Sequence, residues 1–198
     1  MKQTTCIFFG KSGSGKGTQA DLLIKYLNAH DPQNKVVYVE TGDKLRAFTK
    51  DSTSHTALMT KEVMSKGGLM PASIPIWAWS SILIDGVKTG KEHMIFDGVA
   101  RRADEAPILD QALQFYGREK VAVVLLDVPH EEVTTRLIKR GRHDDKHEKI
   151  IERLKWFDSD VMPSVNYFKK SKHCTYLHIN GHQTIENVHK DILKALGI

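Results

Sequence analysis

The chain alternates short apolar runs with longer segments in which apolar residues recur at helical spacing. The apolar runs predict five β-strands, at residues 5–9, 36–40, 94–97, 121–128 and 175–179. The fourth run has no polar alternation, which is typical of a central strand buried on both faces. Strands that alternate with helices predict a parallel sheet inside a three-layer α/β/α fold.

Two segments interrupt this alternation. The first is residues 42–90, which hold more helix than one crossover between strands requires. The second is residues 140–153, which follow a helix predicted over 131–139 and run into another helix predicted over 148–157. Insertions of this kind are candidate covers for a substrate. We therefore interpret the chain as one domain, residues 1–198, with three parts: a core (1–41, 91–139 and 154–198), an insertion (about 42–90) and a minimal lid (about 140–153).

A glycine-rich segment directly follows the first predicted strand and leads into a helix. Residues 10–19 read Gly-Lys-Ser-Gly-Ser-Gly-Lys-Gly-Thr-Gln. This fits the pattern GxxxxGK[ST] except that Gly17 takes the last place and the hydroxyl comes one residue later, at Thr18. Glycines let successive backbone N–H groups face one anion, and a lysine in this place reaches the β- and γ-phosphates. The segment predicts binding of a nucleoside phosphate, because strand and helix both flank it; a tight turn without a ligand is the alternative.

Composition narrows the class of protein only a little. No apolar run approaches the length of a membrane span, and the N-terminus lacks a signal-peptide pattern, so we expect a cytoplasmic protein without a membrane partner. Cys6 and Cys174 lie in or beside predicted strands without metal-ligand spacing, and we expect both to be reduced core residues. The net charge of +5 suits nucleic acid or a small polyanion. We expect no nucleic-acid partner, because the basic residues are spread out without interleaved aromatic residues.

Further short motifs follow the loop in order: TGDKLR at 41–46, GLMP at 68–71, DGVAR at 97–101, DVP at 127–129, RLIKR at 136–140, RHDD at 142–145, Arg153, and NG at 180–181. Together with the loop they resemble the adenylate kinase family of nucleoside monophosphate kinases, over nearly the whole chain. In that family, glycine stands where other P-loops carry Ser or Thr after the lysine. The resemblance implies a P-loop fold with a helical insertion that binds the nucleoside monophosphate (NMP), and reversible phosphoryl transfer from ATP to an NMP, most simply AMP.

The resemblance also implies a role for each matching residue. The ATP-binding residues are Gly13, Ser14, Gly15, Lys16, Gly17, Thr18, Arg136 and Gln183. The acceptor-binding residues are Thr41, Gly42, Arg46, Leu69, Met70, Gly98, Arg101 and Glu105. The catalytic residues are Lys16, Arg101, Arg140, Arg142 and Arg153, since guanidinium groups bind phosphate oxygens bidentately and stay charged. Asp97 would hold Mg²⁺ through water, and no zinc is expected. Asp144 and Asp145 either cap the next helix or take part in closing the lid.

The chain departs from the family pattern in three places. Glu105 stands where the family has the glutamine that reads the adenine of AMP, and an ionised carboxylate only accepts hydrogen bonds. Only Gly141 separates Arg140 from Arg142, so the lid is almost absent and we expect weaker exclusion of water. Val99 and Ala100 replace Phe-Pro before Arg101, which frees the backbone that aims this arginine.

These departures leave the acceptor open. A carboxylate at Glu105 suits guanine better than adenine, while Thr41 is typical of adenylate kinases; alternatively, Glu105 points to solvent or pairs with Arg102. The primary expectation is an enzyme that uses ATP/ADP and AMP, with GMP, UMP or CMP as alternative acceptors. The other alternative is a P-loop protein that binds nucleotides without catalysis. Such a protein would not need charged residues for both a donor and an acceptor phosphate. A self-contained set of groups favours a monomer.

Overall fold

A central sheet of five parallel strands organises the described part of the chain, residues 2–141 and 147–198 of a computed structural model (the side chains of His147 and Glu148 excepted). The strand order is β2-β3-β1-β4-β5. The strands are β1 (Thr5–Gly10), β2 (Val36–Glu40), β3 (His93–Asp97), β4 (Val121–Asp127) and β5 (Cys174–Asn180). Each lies within one residue of its predicted ends, because each is a short, nearly continuous apolar run.

Helices cover the sheet and fill the predicted insertion. They are α1 (Lys16–His30), α2 (Thr41–Asp51), α3 (His55–Ser65), α4 (Ser73–Gly86), α5 (Ala106–Phe115), α6 (His130–Arg140), α7 (His147–Trp156), α8 (Met162–Lys170) and α9 (Ile185–Leu196). Between α7 and α8 the chain forms a π-helical turn, Phe157–Val161. The helix predicted over 148–157 therefore ends one residue early. The sequence pattern does not predict the π-helical turn that follows.

Two apolar layers separate these helices from the sheet. On one face α1 and α9 pack over side chains such as Phe8 and Ile95. On the other face α4, α5 and α8 pack over side chains that include Phe96. Trp79 of α4 belongs to this second layer, with 1% of its surface exposed. Trp77 lies on the opposite side of α4, 43% exposed, against Phe48.

The position of each cysteine within the sheet determines how far it is buried. Cys6 lies in the interior strand β1 and is fully buried, as expected. Cys174 begins the edge strand β5, whose residues are mostly half-buried or exposed, and is itself only half-buried. Cys174 therefore packs against the edge of the core, and the expectation that it is buried is wrong. Within the described residues, no helix is long and apolar enough to cross a membrane.

Candidate active site

The glycine-rich loop forms a tight cradle between β1 and α1. Gly10 and Gly13 have φ angles of 148° and 83°, and Gly15, directly before α1, has a φ of 97°. A Cβ on Gly13 would lie 2.8 Å from Cγ of Leu137, so α6 packs too closely for any side chain there. Positive φ angles and this close approach together require glycine. The loop therefore has the backbone shape that its sequence predicts for a phosphate cradle.

Lys16, the first residue of α1, folds back over the loop. Its Nζ donates to the carbonyl oxygens of Gly10, at 2.8 Å, and Lys11, at 2.9 Å. Desolvation lowers the pKa of Lys16 to about 8, and the positive charges of Arg101 and Arg140 act in the same direction, against the opposing charge of Asp97. This ammonium therefore lies among other cations, in a place that favours an anionic ligand.

One cavity of about 810 Å³ opens at the carboxyl ends of the strands, where the rule for parallel sheets places a ligand. It brings together every predicted site residue that lies in the described part of the chain. Lining it are Gly13, Ser14, Gly15, Lys16, Gly17, Thr18, Thr41, Gly42, Arg46, Leu69, Met70, Asp97, Gly98, Arg101, Glu105, Arg136, Arg140, Arg153 and Gln183. Arg142, Asp144 and Asp145, which the sequence also singles out, lie outside the described residues.

Two arginines reach the cavity from the side of β2 and β3. Arg46 of α2 donates to Oε1 of Glu40, at 2.9 Å, and also pairs with Asp43. Nε of Arg101 donates to the carbonyl oxygen of Gly98 at 3.1 Å, and desolvation lowers the pKa of this guanidinium. Both arginines thus come from segments that follow neighbouring strands, at a different wall from the loop.

Arg136, Arg140 and Arg153 reach the cavity from α6 and α7. Arg136 donates to the carbonyl oxygens of Ser14, at 3.3 Å, and Gly181, at 3.1 Å, so it ties α6 to the glycine-rich loop and to the end of β5. Arg153 is 9% exposed. Convergent guanidinium groups of this kind bind polyphosphate oxygens well.

Asp97, at the end of β3, supplies a carboxylate to the same cavity and is 8% exposed. Oδ2 of Asp97 would lie 3.5 Å from a Cβ on Gly17, so the carboxylate lies against the start of α1. Mg²⁺ takes oxygen ligands, keeps several waters, and is bound by one or two carboxylates together with substrate phosphates. The residues present therefore fit Mg²⁺ that arrives with a nucleotide. Within the described residues, no group of three or more His, Cys, Asp or Glu side chains has an arrangement that would hold a metal by itself.

Glu105, just before α5, is buried in the cavity wall with 1% of its surface exposed. The alternative that it points to solvent is therefore wrong. Its Oε1 accepts from the backbone N–H of Arg102 at 3.2 Å, while the Arg102 guanidinium pairs with Asp104. Desolvation raises the pKa of Glu105 to about 7, against the lowering effect of Arg101.

Three lining features were missed by sequence reasoning. Glu40, the last residue of β2, holds Arg46, and desolvation together with Asp43 raises the pKa of Glu40 to about 7. Its position at a strand end was the signal that could have identified it. Trp156 donates from Nε1 to the carbonyl oxygen of Gly67, at 3.1 Å, and Phe157 begins the π-helical turn. Neither of these two carries a signal in the sequence.

Fold and site together define a P-loop α/β nucleotide-binding protein. The family model "Adenylate kinase" matches residues 8–173. The chain is 35% identical over 194 residues to an adenylate kinase of Bacteroides fragilis, covering 96% of each protein. It is 32% identical over 196 residues to adenylate kinase 1 of a Nostoc species, covering 98% of this chain and 99% of that protein. It is also 29% identical over 200 residues to a uridylate kinase of Saccharomyces cerevisiae, covering 98% and 91%.

The family model spans most of the chain, and relatives above 30% identity cover nearly all of it. The chain therefore belongs to the adenylate kinase family, and its enzyme class is nucleoside monophosphate kinase.

Proposed function

We propose that this enzyme catalyses reversible transfer of the γ-phosphoryl group of ATP to AMP, giving two molecules of ADP. One observation carries the proposal: a single cavity is lined both by the glycine-rich loop with Lys16 and, on another wall, by Arg46 and Arg101. A protein that binds one nucleotide needs one phosphate site. Two cationic walls that face one cavity suit a donor and an acceptor phosphate held in line.

A protein that catalyses phosphoryl transfer does little covalent chemistry itself. It positions the two reactants and neutralises the charge on the group being transferred. In the proposed mechanism the loop amides and Lys16 hold the phosphates of ATP, with Thr18 and Gln183 on the same side. Arg46 and Arg101 hold the phosphate of AMP. Arg140, Arg142 and Arg153 neutralise the charge that spreads over the group in transfer. Mg²⁺, held by Asp97 through water, would lower the negative charge of the ATP phosphates.

The remaining predicted residues orient the two bases. Arg136, which is hydrogen-bonded to the loop and to Gly181, would pack against the adenine of ATP. Thr41, Leu69 and Met70 line the acceptor side of the cavity with Gly42, Gly98 and Glu105. The buried hydroxyl of Thr41 has no hydrogen-bond partner within the described residues, so a polar group of the acceptor would satisfy it.

The proposal keeps the division of the chain into a core (1–41, 91–139 and 154–198), an NMP-binding insertion (about 42–90) and a minimal lid (about 140–153). The hydrogen bond from Trp156 to the Gly67 carbonyl oxygen supports a cover over the site, because it joins the segment after the lid to the insertion. We further expect a monomer that acts in the cytoplasm on ATP, ADP and AMP, without a nucleic-acid or membrane partner.

A second candidate is the same chemistry with another acceptor. The relationship to a uridylate kinase favours UMP, with CMP as a further pyrimidine alternative, and an ionised carboxylate at Glu105 favours GMP. ADP formation from Mg·ATP should be measured with AMP, GMP, UMP and CMP in turn. We expect the highest kcat/KM with AMP. A higher value with another monophosphate would replace AMP by that acceptor, and no stimulation by any of the four would mean that the protein binds nucleotides without transfer.

A further inference from the structure

The carboxyl group of Glu105 has one oxygen fixed by a hydrogen bond and one oxygen open. Oε1 accepts from the Arg102 backbone N–H, whereas Oε2 is buried and has no hydrogen-bond partner in residues 2–141 and 147–198. The side chain is 1% exposed and lines the same cavity as Arg101, Leu69 and Met70. A buried polar atom of this kind calls for a partner, and the cavity is where a ligand would supply one.

The charges around Glu105 hold it between its two protonation states. Burial favours the neutral acid, and Asp104 acts in the same direction. Arg101 and Arg102 favour the carboxylate, but the effect of Arg101 is shared with Asp97 and Glu40, which also attract its charge. With a pKa of about 7, both forms of Glu105 are populated near neutral pH.

The fixed oxygen decides where the proton lies in the neutral form. The Arg102 N–H can only donate, so it holds Oε1 as the carbonyl oxygen and leaves the hydroxyl on Oε2. Neutral Glu105 then has a donor at Oε2 and, through the second lone pair of Oε1, an acceptor beside it. Ionised Glu105 presents two acceptors.

These two patterns match two different purines. Adenine offers an acceptor at N1 and a donor at its 6-amino group, which pair with a neutral carboxyl. Guanine offers donors at N1 and at its 2-amino group, which pair with a carboxylate. In a mismatched pair, a buried donor faces a donor or a buried acceptor faces an acceptor. A site that hydrogen-bonds its substrate strongly rejects a base that leaves these groups unpaired.

We propose that Glu105 selects the base of the acceptor nucleotide through its protonation state, the neutral carboxyl recognising adenine and the carboxylate recognising guanine. The proposal rests on the proposed function, since it assigns Glu105 to the acceptor site. It also resolves the apparent conflict between a glutamate at this place and AMP as acceptor, because neutral glutamate presents the same donor and acceptor pair as glutamine.

The kinetic test compares kcat/KM for AMP and for GMP between about pH 6 and about pH 8.5. If each purine used only its own form of Glu105, the AMP/GMP ratio would fall about tenfold per pH unit. We expect a fall of at least about tenfold over the range. Ionisations of Lys16, of ATP and of the acceptor phosphate affect both acceptors alike and cancel in the ratio.

Two variants sharpen this test. Glu105→Gln keeps the adenine pattern and cannot ionise, so its ratio should stay high and flat with pH. Asp104→Asn removes an exposed neighbouring carboxylate outside the cavity, and its ratio should keep the wild-type slope. A purely structural role for Glu105 would shift both acceptors together. A ratio independent of pH in the wild type, or one that still falls in Glu105→Gln, would overturn the proposal.

A binding measurement on the wild-type enzyme needs no variant and no ATP. Calorimetric titration with AMP and with GMP, in buffers of different ionisation enthalpy, gives the protons taken up with each. At about pH 7.5 AMP should bind with greater proton uptake than GMP, by up to about one proton. Equal proton uptake would contradict the proposal. Activity with AMP and a flat ratio would refute Glu105 as the selector and leave the proposed function standing; no transfer to any monophosphate would refute both.

Discussion

At the scale of single residues, the site depends on charges placed where water is scarce. Lys16 illustrates this best, because desolvation lowers its pKa to about 8 while two loop carbonyls hold it in place. The buried ammonium of Lys16 slightly lowers the stability of the fold, and it stabilises a polyphosphate when one is bound. Replacing Lys16 should therefore lower activity without lowering stability.

We expect Lys16→Met to lower kcat/KM by about a hundredfold to a thousandfold, the range found when one group that stabilises transition-state charge is removed. The unfolding temperature should stay the same or rise, because the cavity disfavours the ammonium. Steady-state kinetics and thermal unfolding measure the two effects. Lys25→Met, at an exposed position of the same helix, is the matched control and should leave activity unchanged. Near-normal activity in folded Lys16→Met would contradict this role.

Glu92 shows the opposite arrangement, a buried charge that stabilises the fold. It lies between α4 and β3, where its Oε1 accepts from the backbone N–H groups of Lys88 and Thr89 and from the Thr89 hydroxyl. Burial by itself would raise the pKa of Glu92, but these hydrogen bonds outweigh it and hold the pKa at about 2. The stabilisation is complete above the unfolded-state pKa of about 4.5 and is lost as pH falls toward 2.

Glu92→Gln should therefore lower the free energy of unfolding by about 1.5–3 kcal/mol at neutral pH, the range for hydrogen bonds to a charged group. The gap to the wild type should narrow when urea unfolding is repeated at about pH 3. Glu119→Gln, at an exposed position, should change neither value. A gap that stays constant or widens on acidification would show that the charge of Glu92 is not what stabilises this connection.

At the scale of elements, the cavity is closed on one side by a contact between α7 and the loop after α3. Nε1 of Trp156 donates to the Gly67 carbonyl oxygen, and the guanidinium of Arg101 lies 5.9 Å from the centre of the Trp156 ring. The loop that begins at Gly67 continues to Leu69 and Met70, which line the cavity at the proposed acceptor site. This contact therefore connects the end of α7 to the loop that carries these two residues.

Trp156→Phe removes the hydrogen bond and keeps an aromatic ring beside Arg101. We expect KM for AMP to rise about twofold to tenfold, as the loss of one hydrogen bond predicts, with a smaller change in kcat. Initial rates at varied AMP concentration measure both constants. Trp77→Phe, at the exposed face of α4, is the matched control and should behave as the wild type. An unchanged KM in Trp156→Phe would mean that the contact does not support the acceptor site.

Much of this arrangement could be predicted from the sequence, and the exceptions have physical causes. The strands were found within one residue of their ends because a buried parallel strand is a short apolar run, and the loop because its glycines have a fixed spacing. The π-helical turn after Trp156 was missed because helical periodicity does not show where a turn widens. Motif matching placed Glu105 at the acceptor site, but its burial and its single unpartnered oxygen depend on packing, which no local pattern records.

At the scale of the whole molecule, the carboxyl ends of the five strands determine which side chains come together in the cavity. The loop after β1 is the proposed phosphate site, Arg46, Asp97 and Arg101 come from the ends of β2 and β3 or the segments after them, and α6 and α7 add further guanidinium groups. Lys16 and five arginines thus line one cavity. A small polyanion fits a local charge distribution of this kind.

Direct transfer between two nucleotides in that cavity is the central claim, and the fate of a labelled phosphoryl group tests it most directly. The enzyme should be given ATP labelled in its γ-phosphate, together with unlabelled AMP and Mg²⁺. The account predicts that the label appears in ADP, with little in free phosphate. Label recovered mainly as free phosphate, at a rate independent of AMP, would contradict it, because hydrolysis and not transfer would then be the main reaction.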